Sequence, residues 1–259
     1  MSDEQIEQLE ELEQQQEEHE IAIITPTYNC ADYLLDLHKS ITQQTEDWVW
    51  IVVDDGSTDD ISDVMKYICG KDNRVKYTRR EENLGANSAR NIALGIAAAY
   101  SPKCVFFADA DSLLYQTSLG VLKLALWNSE ADFAYSGFDW GGIRSGSCDS
   151  QPWNLETLRR VPYISSMSLF WWESLQKYLP LDESLTSLQD YDLFLAIGES
   201  GGFGFYLPLR LFLNIARKDG IAYGQTRAKW EENFAYIHRK YGRQIQNMEL
   251  VLPVENQGG

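Results

Sequence analysis

An α/β fold, with a mostly parallel central sheet flanked by helices and a smaller second region, is what this 259-residue chain predicts. Three observations carry that expectation. Short apolar runs rich in β-branched and aromatic residues, "IAIIT" from Ile21 and "WVWIVVD" from Trp48, have the composition of strands buried on both faces. Stretches with apolar residues at helical spacing alternate with them, the order of a parallel sheet with crossover helices. Polar clusters, "TPTYN", "DDGSTD" and "DAD", fall at the carboxyl ends of three strands, where open α/β sheets bind ligands.

Between the first two strands, Tyr33, Leu34, Leu37 and Ile41 mark one face of a helix over 31–44. "STDDISDVMKYIC" opens with a Ser/Thr/Asp capping cluster and continues as a helix along Ile61, Val64, Met65 and Ile68. "RVKYT" is a third strand, "LGANSARNIALGIAAAY" a helix entered through Gly85, and "CVFFAD" a fourth strand. "SLGVLKLALW" is a helix and "DFAYSGF" a strand. Residues 136–160 are rich in Gly and Ser and are expected to be a loop with little regular structure. Beyond them come a strand or helix pair in "SSMSLFWWESLQKYL" and "DYDLFLAIGES", the extended "FGFYLPLRLFLNIAR", and a final amphipathic helix in "AKWEENFAYIHRKYGRQIQ". The expected division is an acidic extension at 1–20, a first half at 21–135, a second at 136–215 and a helical segment at 216–259.

Composition excludes several classes. The net charge is −17, of which residues 1–20 supply −9 and the other 239 residues −8, a balance that disfavours nucleic-acid phosphate or anionic lipid. The acidic segment is read as a charged helical or disordered extension, with docking to a protein partner as the sharper alternative. No run of eighteen apolar residues exists, and the N-terminus lacks the basic and apolar regions of a secretory signal. The expected location is cytoplasmic, free or peripheral to a membrane. Cys30, Cys69, Cys104 and Cys148 form no CxxC pair, and His19, His38 and His238 are scattered, so neither a zinc site nor a disulfide framework is expected.

Each polar cluster has a plain reading and a chemical one. Asp109 and Asp111 end an apolar strand; they either make a turn or hold a hard divalent cation, since Mg2+ takes one or two carboxylates together with substrate phosphates. Asp54 and Asp55 also suit a turn, with Ser57 or Thr58 capping the next helix, yet one acid is available to a base or ribose. Tyr28 follows a Pro turn and has a ring face for stacking. Arg90 lies in a helix, either solvated or facing a diphosphate. Asp190 is either a first-turn helix acid or a catalytic group. Trp140, Trp153, Phe170, Trp171 and Trp172 either pack or offer faces to a sugar.

Together, "IAIITPTYN", "WIVVDDGSTDD", "ENLGANSARNIAL", "FADADS" and "LDESLTSLQDYDLFL" resemble, in order and spacing, the inverting GT-A glycosyltransferases of family two, over roughly residues 21–200. The resemblance implies a GT-A, Rossmann-like fold and transfer of a sugar from a nucleoside diphosphate sugar, UDP-linked by preference, to an acceptor hydroxyl. That acceptor is a carbohydrate, a lipid-linked glycan or a protein. It implies a base pocket walled by Pro26, Thr27 and Tyr28, with Asp55 holding uracil. Arg90 then lies near the phosphates, Asp109 and Asp111 hold Mn2+ or Mg2+ against the donor, and Asp190 is the catalytic base. Two positions depart from the family pattern: Gln189 stands where a Glu usually precedes the base, and Ser112 where a further acid often follows the metal motif. No histidine completes a metal shell after Asp190, His238 being remote in sequence. The rivals are a sugar nucleotidyltransferase, which the absence of a Gly-rich triphosphate loop at 21–35 opposes, and a non-catalytic nucleotide- or sugar-binding module, which Gln189 favours.

Overall fold

A computed structural model describes residues 19–218 and 227–242. The chain order is β1 (Ile21–Thr27), α1 (Ala31–Thr42), β2 (Trp48–Asp54), α2 (Ile61–Cys69), β3 (Val75–Arg79), α3 (Ala86–Ala97) and β4 (Cys104–Phe107). Next come β5 (Ser112–Leu114), α4 (Ser118–Trp127), β6 (Phe133–Gly142), β7 (Gly146–Cys148), α5 (Leu155–Leu158), β8 (Leu169–Trp171) and α6 (Trp172–Gln176). The last are α7 (Gln189–Glu199), β9 (Gly204–Ala216) and α8 (Arg227–Lys240). Apart from His19 and Glu20, the acidic segment 1–20 lies outside the described residues, as does the chain beyond 242.

One sheet runs β3-β2-β1-β4-β8-β6-β9-β5, with β7 added on β6. Its first half is parallel, as the alternating pattern requires, in the registers Ile21↔Trp48, Ile21↔Cys104 and Trp50↔Val75. β1 and β2 are buried along almost their whole length because helices cover both faces. Odd residues of β1 (Ile21, Ile23) join one hydrophobic layer with α1, α2 and α4; even residues (Ala22, Ile24) join the other, with α3 and α7. Pro26 is tolerated in this central strand because β4 pairs only as far as Ile24↔Phe107. The missing N–H therefore faces a side where no ladder continues.

The second half corrects the loop expected at 136–160. β6 continues to Gly142 and pairs in parallel with β9 from Phe133↔Gly204 to Gly142↔Ala216, with register shifts around Gly137. β7 pairs back onto it at Phe138↔Cys148, and α5 follows. The chain approaches so closely at Gly137 that a Cβ there would stand 2.7 Å from the Cys148 carbonyl oxygen, which explains a glycine in mid-strand. β8 runs antiparallel between β4 and β6, joining the two halves. The aromatics of this half pack. Phe170 is buried against Phe107, Phe133 and Phe194, Trp153 meets Phe133 edge-on, and Trp171 lies 4.1 Å from Trp127. Trp172 joins the same apolar layer as Phe170, and Trp140 packs edge-on to Phe138.

The expected capping cluster of α2 works differently. Asp60 at its N-cap makes no side-chain cap bond. Asp59 instead accepts the Ala31 N–H of α1 at 2.8 Å, and Ser57 Oγ accepts the Asn29 N–H at 2.9 Å. The second strand-end loop thus caps the helix that follows the first.

α8 folds against α7 and the segment before it. Lys240 Nζ donates to Asp192 and Asp182, Tyr241 OH donates to Asp192, and Asn233 Nδ2 donates to Ser187 Oγ at 2.8 Å. His238 is buried there, its Nε2 3.1 Å from Tyr191 OH. Burial alone would raise the Asp182 carboxyl. Hydrogen bonds from Ser184, Lys240 and Tyr236 outweigh it and bring the group from 3.8 to about 2. A depressed carboxyl stabilises the fold fully above its unfolded value and loses that contribution as pH falls toward the folded one. Asp182→Asn is therefore expected to cost about 1–2 kcal/mol in urea unfolding near neutrality. The deficit should close as the pH falls from the unfolded value of 3.8 toward about 2.

Candidate active site

The three polar clusters meet at the carboxyl edge of β1, β2 and β4, laced by side chains across long sequence separations. Asp54 makes the turn after β2: fully buried, it accepts the Ser57 N–H at 2.8 Å and Tyr77 OH at 3.1 Å. Asp55 reaches the next loop. Its carboxylate, 3% exposed, accepts the Leu84 N–H at 3.0 Å and the Gly85 N–H at 2.8 Å, and pairs with the Arg80 guanidinium. The loops touch so closely that a Cβ at Gly56, whose φ is +77°, would lie 2.9 Å from the Glu82 carbonyl carbon.

Asn29, at φ +52°, accepts the Thr58 N–H on its side-chain oxygen at 2.8 Å. Next to it, Tyr28 is 42% exposed and presents its ring at the rim. Pro26 and Thr27 stand behind it, Thr27 buried and its hydroxyl without a partner among the described groups.

Gly85 opens α3, and α3 carries Arg90 inward rather than to solvent. Arg90 is 8% exposed, its Nη2 3.3 Å from Asp109 Oδ1 and its guanidinium near the Phe107 ring. Asp109 also accepts from Ser166 Oγ at 2.9 Å. Arg90, Asn87, Ser166, Gln189 and Asp190 line one narrow cleft floored by Phe107 and Phe170. Asp190 is the second residue of α7, entered through Leu188 at φ +59°. Burial raises its carboxyl above the ordinary carboxylate value; the charge of Asp109 adds to this, and Arg90 and the Tyr191 N–H oppose it. Gln189 donates to the Leu185 carbonyl at 3.3 Å, and Ser112 Oγ donates to Asn214 across the β5–β9 pair, so both departures from the family pattern have structural partners.

Asp111 stands beyond Asp109, its carbonyl accepting the Ile215 N–H at 2.8 Å and its Oδ2 accepting from Arg217 Nε at 3.0 Å. Burial and the neighbouring Asp109 push its carboxyl up to about 6, against the pull of Arg217. The pair fits a hard divalent cation. The Asp109 and Asp111 side chains are 33% and 28% exposed, and oxygen donors of this kind suit Mg2+ or Mn2+ when a diphosphate completes the shell. Among the described residues no group of three or more His, Cys, Asp or Glu could hold a metal, so a cation on this pair would take its remaining ligands from substrate and water. His238 is packed beneath α7 and adds nothing here.

Sequence reasoning missed Arg80, Ser166 and Arg217. Their acidic partners lie 25, 57 and 106 residues away, and nothing local distinguishes them from solvated residues.

A family model, "Glycosyl transferase family 2", matches residues 22–187. The chain belongs to glycosyl transferase family 2. This family 2 chain is 39% identical over 103 residues to an uncharacterized glycosyltransferase of Rickettsia conorii, covering 39% of this chain and 16% of that protein. It is 33% identical over 119 residues to the putative teichuronic acid biosynthesis glycosyltransferase TuaG of Bacillus subtilis, 46% of each chain. The chain thus spans less than half the length of either relative. Its GT-A fold matches S. aureus TarS residues 1–349 in complex with UDP-GlcNAc, at TM-score 0.65 and 18% identity, covering 89% of this chain and 68% of that one. It also matches the mannosyltransferase PcManGT of Pyrobaculum calidifontis in complex with GDP-Man and Mn2+, at TM-score 0.60 and 16% identity, covering 86% and 71%. No helix among the described residues is long and apolar enough to cross a membrane.

Gly56→Ala tests the lacing of the loops. The left-handed backbone and the backbone contact at 2.9 Å both oppose a side chain. A loss of about 1–3 kcal/mol is expected in urea unfolding.

Proposed function

We propose that this chain transfers a sugar from a nucleoside diphosphate sugar, UDP-linked by preference, to an acceptor hydroxyl with inversion at the anomeric carbon. The observation that carries the reading is the meeting of Asp190 and Arg90 in one cleft, with Asp109 3.3 Å from the Arg90 guanidinium, beside strand ends that hold Tyr28 and the Asp55–Arg80 pair.

The Asp55–Arg80 pair sets a carboxylate acceptor beside a guanidinium donor. Uracil offers the complement, an N3–H beside the O4 carbonyl, and the exposed Tyr28 ring supplies a stacking face. Arg90 offers a fixed positive charge to the diphosphate. Asp109 and Asp111 would hold a divalent cation, which would supply Lewis-acid neutralisation of the charge that builds on the departing nucleotide. Asp190 takes the proton of the acceptor hydroxyl as that oxygen bonds to the anomeric carbon. The bond from that carbon to the diphosphate breaks in the same displacement, and its electron pair leaves with the nucleotide. One displacement inverts the configuration. In this reading residues 21–135 bind the donor and 136–215 receive a carbohydrate, lipid-linked or protein acceptor.

A non-catalytic binding module is the second reading, favoured by Gln189, whose side chain is bonded to the Leu185 carbonyl. Release of UDP from UDP-sugars, beginning with UDP-GlcNAc, separates the two. Catalysis predicts turnover that Asp190→Asn lowers by about 10²–10⁴-fold with UDP affinity unchanged; no turnover with any UDP-sugar and acceptor mixture leaves the module. A pH profile adds a second check. The base works ionised and burial raises its carboxyl, so activity should fall on acidification at a pH above the ordinary 3.8. A limb at or below that value contradicts the assignment.

A further inference from the structure

Arg217 occupies a position that the reading above does not use. It follows the end of β9 directly, and its side chain is only 11% exposed. Nε sits 3.0 Å from Asp111 Oδ2, Nη1 donates to the Asn29 carbonyl at 3.0 Å, and the guanidinium lies 5.4 Å from the centre of the Tyr33 ring. Two residues earlier, the Ile215 N–H donates to the Asp111 carbonyl at 2.8 Å, so the β9 backbone and the Arg217 side chain just after it grip the same aspartate. The guanidinium bridges the loop that carries Tyr28 and Asn29 to the carboxylate pair at the end of β4.

We propose that Arg217 is a built-in competitor for the divalent cation: it holds Asp111 in the nucleotide-free protein and leaves that carboxylate when cation and nucleoside diphosphate arrive together. The inference rests on the reading of Asp109 and Asp111 as the cation's carboxylates. One carboxylate oxygen cannot serve a guanidinium at hydrogen-bond distance and a divalent cation at once without strong like-charge repulsion. Before nucleotide binds, Arg90 and Arg217 already neutralise the two aspartates, so a cation entering alone meets little net negative charge. A diphosphate brings its own negative charge and gives both the cation and the displaced guanidinium a partner. Arg217 thereby favours joint entry of metal and nucleotide over metal alone. Through Asn29 it also couples the base-side loop to that event.

The test is Mn2+ binding to the full chain without nucleotide, followed by the paramagnetic resonance signal of free aquo-Mn2+. Arg217→Gln removes the charge and Arg217→Lys removes the two-armed contact. Arg217→Gln is expected to bind Mn2+ about tenfold tighter than wild type, because one positive charge beside the Asp111 carboxylate is gone. Arg217→Lys should shift the same way by less, which keeps the test valid if the Gln variant folds poorly. Adding UDP should tighten Mn2+ more in wild type than in either variant. Equal or weaker Mn2+ binding by both variants, including none by any protein, overturns the inference. A parallel wild-type titration with UDP present separates the two failures. Mn2+ held with UDP but unaffected by Arg217 sinks this inference alone, whereas no Mn2+ with UDP sinks the metal reading beneath it.

Discussion

The buried Asp55 carboxylate is the constraint on which the site depends. A charge at 3% exposure is costly unless fully hydrogen-bonded, and this one is met by two backbone N–H groups and a guanidinium. Those donors belong to residues 80–85, so satisfying Asp55 fixes where α3 begins. The start of α3 fixes Arg90, and Arg90 fixes Asp109, which Ser166 holds from the other half of the sheet. A single desolvated acid at the end of β2 thus sets the positions of groups on three elements.

The same logic separates what was legible in the sequence from what was not. β1, β2, β4 and the crossover helices were readable because burial on both faces leaves continuous apolar runs, and Pro26 does no harm where β4 has already ended. The second half was harder. β6 turns polar and glycine-rich after Gly137 because there it pairs with β7 and a bulged β9 instead of lying beneath helices, so its strand signal fades while its pairing continues. β5, three residues long, is defined only by its partner on β9, a hundred positions away.

Asp55, Asp109 and Asp111 announced themselves at strand ends and Arg90 through the family resemblance, whereas Arg80 and Arg217 did not. Arg80 and Arg217 sit in or beside loops, and Arg90 in a helix shared with ordinary packing residues. Only the folded topology shows each guanidinium aimed at a carboxylate. The Ser/Thr/Asp cluster after β2 carried a real capping signal, but its target was the helix after β1, because parallel neighbours bring their loops side by side. α8 lies outside the family match at 22–187, yet it anchors the chain on both sides of Asp190, through Asp182 and Ser187 before it and Asp192 after it. The half that carries Asp190 is therefore braced from a part of the chain that the family match does not reach.

The central claim is that the strand-end loops form one site for a uracil nucleotide and a divalent cation. Calorimetric titration of UDP, with GDP and dTDP alongside, in Mn2+ and then in EDTA, tests it most directly. The account predicts binding that favours UDP and weakens sharply when the metal is removed. Absence of binding by any of the three nucleotides to well-folded protein would contradict it.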